Sequence, residues 1–222
     1  MSEMNSEDKT QLNFGNVIFY SILFMILGYT IDETFRWTNP LNGFASGVIH
    51  ALIIMSSGWV ITSLPWIILI FVIYKKSEWV KFRTAWSLAP SICIFIIFIG
   101  NLCLTFPTPN RRFEIFAKSQ LPTNITNLEY EFSGGGIADY GDTYYFCTTP
   151  KEVNRIINEM NLTVEEYFDN KSSEFDYLVL PNCPAISSWK GAIKYSYSKG
   201  TWFYYLITNK SKTQVYIYMG SI

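Results

Sequence analysis

The chain has 222 residues, 49% of them hydrophobic, and its 17 Lys and Arg against 18 Asp and Glu give a formal net charge of -1. A pI of about 5.9 with no clustered basic footprint sets nucleic acid aside as a partner. The length suits one large domain or a membrane part plus a small domain, and the long apolar runs, nearly all before Phe106, select the second.

Residues 1–11 are polar and carry Glu3, Glu7, Asp8 and Lys9. They lack the basic start and small-residue cleavage site of a secretory signal, so the run that follows reads as a retained anchor. That run, residues 12–31, holds no charged side chain and has the roughly 20 residues that a bilayer crossing needs. The connection Asp32 to Gly43 is charged and aromatic, with the turn dipeptides Asn39-Pro40 and Asn42-Gly43, and is expected to be a short exposed loop. A second apolar run spans 47–74, with Pro65 as a kink point and His50 near its outer end. A lone histidine there reads as interfacial in preference to proton-linked.

The segment Lys75 to Arg83 is basic, and a third apolar run, 84–106, follows it. None of the three runs carries an Asp, Glu, Lys or Arg, which argues against a proton or ion pathway. Cys93 and Cys103 lie in the third run and read as small buried hydrophobes. The expected organisation is a polar tail, a three-helix transmembrane region over 12–106, and a globular domain over 107–222.

Orientation follows the bias of Lys and Arg in short loops. Lys75, Lys76, Lys81 and Arg83 stand against Arg36 alone in the first connection. The N-terminus and the Lys75–Arg83 loop are therefore expected in the cytoplasm and the C-terminal domain outside it, in a multi-pass cell-membrane protein. Arg111, Arg112 and Lys118, close after the third run, vote the other way.

In the globular part, residues 112–119 alternate as a strand or a short linking helix, and Leu128, Tyr130 and Phe132 mark a half-buried strand. The stretch from Ser133 to Asp142 is rich in glycine and leads to a strand over 143–148. Asp139 and Asp142 do not have the spacing of a calcium loop. Thr149-Pro150-Lys151-Glu152 is a helix start with Thr as N-cap, and Val153, Ile156, Ile157 and Met160 give that helix one apolar stripe. Thr163-Val164-Glu165-Glu166 reads as a second capping box opening a short helix through about Asp169. Tyr177 to Leu180 reads as a strand. Runs over 192–197, 201–208 and 213–219 alternate and are rich in Tyr, Trp, Val and Ile, as antiparallel strands are. The fold class expected is three transmembrane α-helices followed by a small α+β domain, an antiparallel sheet with one main packed helix.

Leu121-Pro122 before a strand, the aromatic strand Tyr144-Tyr145-Phe146, the capped helix after Thr149-Pro150 and the terminal aromatic hairpins form a pattern. Over 112–219 it resembles small extracytoplasmic domains of uncharacterised bacterial lipoproteins and membrane-anchored proteins. The motifs are structural, and the resemblance implies no activity for any residue.

Chemistry-bearing patterns are few. The one histidine, His50, lies outside the globular part, which excludes a Ser-His or Cys-His nucleophile there. No zinc spacing, phosphate loop or cofactor motif stands out, so no catalytic, metal or cofactor residue is expected. Asp139, Asp142, Glu165 and Glu166 are the carboxylates an enzyme would have to use. Cys147 and Cys183 can pair as a disulfide if the domain lies outside the cytoplasm. The reading that remains is a membrane-tethered domain that binds a protein or cell-envelope partner. Its rival is a small membrane helper or immunity-type subunit acting through its helices, with Asn16, Asn101, Ser56, Ser57 and Gly58 as packing candidates.

Overall fold

The computed structural model describes residues 12–57, 63–76, 83–133, 140–168 and 173–221. Two compact units emerge: Met1–Phe35 with Pro40–Phe106, and Arg36–Asn39 with Pro107–Ile222.

The first unit is helical: α1 Phe14–Arg36, α2 Pro40–Ser57, α3 Ser63–Lys75 and α4 Arg83–Leu104. Asn13 caps α1, its side-chain oxygen accepting from the Asn16 amide at 2.8 Å. Two helices, α1 and the Thr84–Leu104 part of α4, are long and apolar enough to cross a membrane; Pro40–Ile53 and Leu64–Lys75 are shorter apolar helices. The single long span expected over 47–74 is thus two described helices, with 58–62, and with them Gly58, outside the described residues. Proline at the first position of α2 explains why that helix begins early, since its missing N–H costs nothing there.

The loop expected over Asp32 to Gly43 is also corrected. Helix α1 runs on through Asp32, 7% exposed, and Glu33, 1% exposed, to Arg36. The turn dipeptide Asn42-Gly43 lies inside α2, where Gly43 and Gly47 let backbones approach. A Cβ on Gly43 would meet the Glu33 carbonyl oxygen at 2.9 Å, and one on Gly47 would meet the Thr30 Cα at 3.0 Å. That spacing of small residues four apart is the usual way for apolar helices to pack closely. Cys93 and Cys103 are exposed on α4, not buried as expected.

The second unit holds helices α5 Pro109–Ala117 and α6 Pro150–Glu159 and strands β1 Thr126–Ser133, β2 Tyr140–Cys147, β3 Thr163–Phe168, β4 Ala192–Lys199, β5 Trp202–Thr208 and β6 Gln214–Ser221. The strands form one antiparallel sheet in the order β1-β2-β6-β5-β4-β3. Two helices, rather than the expected one, cover the first face: Phe113 and Ala117 of α5 and Val153, Ile156 and Ile157 of α6 meet Phe132, Tyr144, Leu206 and Ile217. The second face packs Tyr145, Ile207 and Tyr216 against Phe175, Leu178, Ile186 and Trp189.

Local sequence explains most of these elements. Thr108 and Thr149 cap α5 and α6, each followed by proline at the first turn. The β4–β5 hairpin turns on Gly200 at φ +63, a left-handed conformation that favours glycine at the first turn position. Residues 112–117, open between strand and helix, are helical. Two expectations fail here: Thr163–Phe168 is a strand and not a helix, since β4 pairs with it and its Phe168 is buried, and Tyr177 to Leu180, expected as a strand, covers the end of the 3-10 helix Ser173–Leu178 and two residues outside any strand. The connection after α1 belongs to the sheet unit. The Thr38 amide donates to the Phe132 carbonyl at 3.2 Å and the Phe132 amide to the Thr38 hydroxyl at 2.6 Å, so Thr38 covers the free edge of β1.

Candidate functional site

A cleft of about 730 Å³ opens where the C-terminal ends of α5 and α6 meet the β4–β5 hairpin. Its position follows from chain geometry. Helix α5 ends at Lys118, which takes a left-handed conformation at φ 52, while α6 ends near Met160, so neither helix continues over the tip of the hairpin. Residues of the hairpin alternate, which puts Trp202 and Tyr204 on the helix-covered face, with Tyr197 opposite Tyr204 in register.

Aromatic rings make the wall. Phe116 stacks on Trp202 with centroids 5.5 Å apart and planes at 19°, and Trp202 lies along Tyr204 at 6.3 Å and the same angle. Tyr204 meets Tyr197 at 6.0 Å. Burial and the neighbouring Tyr197 hold the Tyr204 phenol above its ordinary range, so it stays a neutral hydroxyl at physiological pH. All three of Phe116, Trp202 and Tyr204 are half-buried, leaving ring surface open to the cleft.

The polar groups are of two kinds. Glu159 is engaged: it accepts from Arg155 Nη1 at 2.6 Å and from the Ser119 hydroxyl at 2.6 Å, and Arg155 also reaches Glu152 and the Gln120 carbonyl. Lys118 and Lys199 are exposed, line the cleft, and form no ion pair among the described residues. Rings beside two uncommitted ammonium groups suit a ligand that offers both apolar surface and negative charge.

The residues singled out from sequence lie elsewhere. Asp142 is fully buried and paired with Arg112, whose Nε donates to Oδ2 at 3.0 Å; Arg112 also donates to the Arg36 carbonyl and lies 4.4 Å over the Phe132 ring. This is a bidentate structural pair that locks α5 to β2. Asp139 lies outside the described residues. Glu165 bonds Lys194 at 2.9 Å, and hydrogen bonds from Lys194 and Ser196 hold its carboxyl below the usual range. Glu166 is its exposed neighbour on β3, which carries a bulge at this point. The three described carboxylates, Asp142, Glu165 and Glu166, form no common site, and among the described residues no group of three or more His, Cys, Asp or Glu could hold a metal. His50 meets the Ser46 hydroxyl at 3.1 Å, one turn back on α2.

Cys147 and Cys183 carry free thiols, both half-buried, on the second face of the sheet. Cys147 Sγ is 3.5 Å from the Tyr145 hydroxyl, and Pro184, next to Cys183, accepts from the Tyr216 hydroxyl at 2.9 Å. The Tyr145 and Tyr216 rings are cross-strand partners with centroids 4.8 Å apart.

Sequence reading did not single out Phe116, Trp202 and Tyr204. The period-two placement of Trp202 and Tyr204 was the available signal, but their ring partner on α5 is set only by tertiary packing. Comparison with protein-family models, curated proteins and solved structures gave no match.

Proposed function

We propose that this chain is a multi-pass membrane protein whose C-terminal sheet domain lies outside the cytoplasm and binds a protein or cell-envelope partner at the Phe116–Trp202 cleft. The observation that carries the binding reading is the cleft itself: stacked half-buried rings with two lysines, Lys118 and Lys199, that form no ion pair among the described residues. Aromatic anchors in a partly desolvated pocket are where interfaces concentrate their energy.

Three features support the membrane reading. In the helical unit large apolar side chains face outward, with Ile97 67% and Leu104 76% exposed, while Ser21, Ser87 and Ser91 are fully buried. Helix-to-helix contact through serine and glycine, with aliphatic side chains outward, is the pattern expected where lipid is the solvent. Second, Arg36–Asn39 belongs to the sheet unit, which supports a topology with the connection after α1 and the sheet domain on one side of the bilayer. An even number of crossings between them fits α2 with α3 as one traverse and α4 as the next. Third, Arg112 is buried and paired, so its charge no longer weighs against a cytoplasmic Lys75–Arg83 loop.

The test uses a photo-crosslinking amino acid at Thr201, which lines the cleft, in native membranes. A discrete adduct that disappears with Trp202→Ala and with Lys199→Glu supports the proposal. Absence of any adduct from Thr201, with the domain folded, overturns the cleft as a binding site. Thiol labelling of cysteines introduced at Lys76 and at Lys210 from each side of the membrane tests the orientation.

A second reading, a small helper acting through its helices, is favoured by one observation: Asn16 and Asn101 are both exposed on apolar helices, where another helix could bond them. Deletion of residues 107–222 separates the two, since a helper would keep its activity.

A further inference from the structure

The second face of the sheet brings together the two cysteines of the domain. Cys147 ends β2, and Cys183 follows the turn after Leu180, where its amide donates to the Leu180 carbonyl at 3.1 Å. The Tyr216 hydroxyl donates to the Pro184 carbonyl at 2.9 Å, which holds the Cys183 segment against the sheet, and Cys183 packs against the same cluster as Cys147. The Tyr145 hydroxyl contacts Cys147 Sγ, and the Asn127 amide group lies 3.9 Å from the same sulfur. Cys147 therefore sits at the hydroxyl of one member of a packed tyrosine pair, and Cys183 precedes the residue that anchors the hydroxyl of the other; both thiols are half-buried and not sealed from solvent.

We propose that Cys147 and Cys183 are a redox pair that closes to a disulfide by exchange with an external disulfide, tying the end of β2 to the irregular segment that covers the second face. The segment needs such a tie. It runs through two 3-10 turns, Ser173–Leu178 and Ile186–Ser188, and between these turns it forms no strand. Apart from its buried side chains, its described anchors include Asp176, which accepts from the Ser187 amide and hydroxyl, and the Tyr216–Pro184 bond.

The exchange balances in two steps. The Cys147 thiolate attacks one sulfur of the oxidant disulfide; the oxidant S–S bond breaks, and its first leaving thiolate takes the proton that Cys147 released. The Cys183 thiolate then attacks Cys147 Sγ in the mixed disulfide and expels the second thiol, which takes the Cys183 proton. Two protein thiols are oxidised by two electrons and one disulfide is reduced to two thiols. The order follows the environment, because burial raises the Cys183 thiol above its ordinary range and leaves it the slower nucleophile. The surrounding phenols stay protonated: burial pushes both Tyr145 and Tyr216 well up.

The pair's reactivity is a property of the fold; whether the bond is closed in the cell rests on the proposed extracytoplasmic placement. The experiment therefore uses the purified full chain in detergent, with Cys93→Ser and Cys103→Ser to remove the helical thiols. It is equilibrated with glutathione disulfide, quenched in acid, alkylated and mapped by mass spectrometry. The expected result is loss of both thiols with a Cys147–Cys183 linked peptide and no retained glutathione. In the Cys183→Ser variant one glutathione per chain stays on Cys147. Two glutathione adducts per chain, cross-linked dimers, or two unreacted thiols in folded protein would each overturn the pairing. Acid-trapped alkylation of intact cells then reads placement separately: reduced thiols in cells, with a linked peptide in vitro, refute the placement and leave the pair standing.

Discussion

The two units of this chain solve opposite packing problems. In the sheet unit the side chains that vanish from the surface are aromatic and aliphatic: Phe113, Tyr144, Phe146, Leu206 and Ile217 are all fully buried. In the helical unit the fully buried positions include Ser21, Ser87 and Ser91, while Leu41 and Leu104 are about three-quarters exposed. Hydrophobic burial from water accounts for the first arrangement and for less of the second, where Val17 and Ile70 are buried but many larger apolar side chains are not. The helical unit gains from close backbone approach, as at Gly43 and Gly47, and keeps many large apolar side chains on its outside. The difference teaches that one chain can carry two folding rules, and that a substitution must be judged by the rule of its own unit.

The largest effect is expected where the sheet unit breaks its own rule. Arg112 and Asp142 are charges inside a hydrophobic domain, 5% and 0% exposed. Arg112→Ala leaves Asp142 buried without its fork and is expected to cost about 3–5 kcal/mol, enough to unfold a marginal domain. Denaturant melts followed by near-ultraviolet circular dichroism measure it, and the pair Arg112→Met with Asp142→Leu should recover most of the loss. Next comes a matched pair of truncations. Ile217→Ala removes a fully buried side chain and should cost about 2–5 kcal/mol. Ile97→Ala, at 67% exposed, should leave the melt of the sheet domain within about 0.5 kcal/mol. Equal losses at both positions would erase the distinction between the units.

Legibility in the sequence divides along similar lines. The α6 helix was readable because Thr149, Pro150 and the Val153–Ile156–Ile157 stripe agree with one another, and the structure keeps all of them. The last three strands were readable because their alternation is long. Thr163 to Glu166 carries a good local helix start and yet forms β3, since pairing with β4 and burial of Phe168 outweigh a capping preference of about 1 kcal/mol. Asp32 and Glu33 looked like loop residues because charge ends an apolar run on paper; the helix continues because its backbone bonds do not depend on side-chain polarity. The cleft was not legible. Phe116 and Trp202 come from distant parts of the chain, and only the packed fold stacks their rings.

Capping offers a finer probe of the readable part. Thr149 accepts from the Glu152 amide at the start of α6, and Thr149→Ala should lower stability by about 1 kcal/mol without changing the fold, as thermal melts with unchanged far-ultraviolet spectra would show.

The smallest expected effect tests the surface chemistry of the sheet unit. The Glu165 side chain is 44% exposed, yet it bonds Lys194, whose side chain is 8% exposed and whose ammonium lies 4.6 Å from the rings of both Phe175 and Tyr205. Hydrogen bonds from Lys194 and Ser196 lower the Glu165 carboxyl below its ordinary value of 4.5, against a smaller opposing effect of burial. A carboxyl that is more acidic when folded stabilises the fold fully above 4.5, and that contribution is lost as pH falls through the folded value. Solvent screening keeps the contribution within the ~1 kcal/mol typical of exposed pairs. The difference in melting temperature between the native chain and Glu165→Gln should therefore be constant from pH 5 to 8 and shrink below about 4.5. No difference at any pH would mean that Lys194 is held by the rings of Phe175 and Tyr205 and not by the carboxylate.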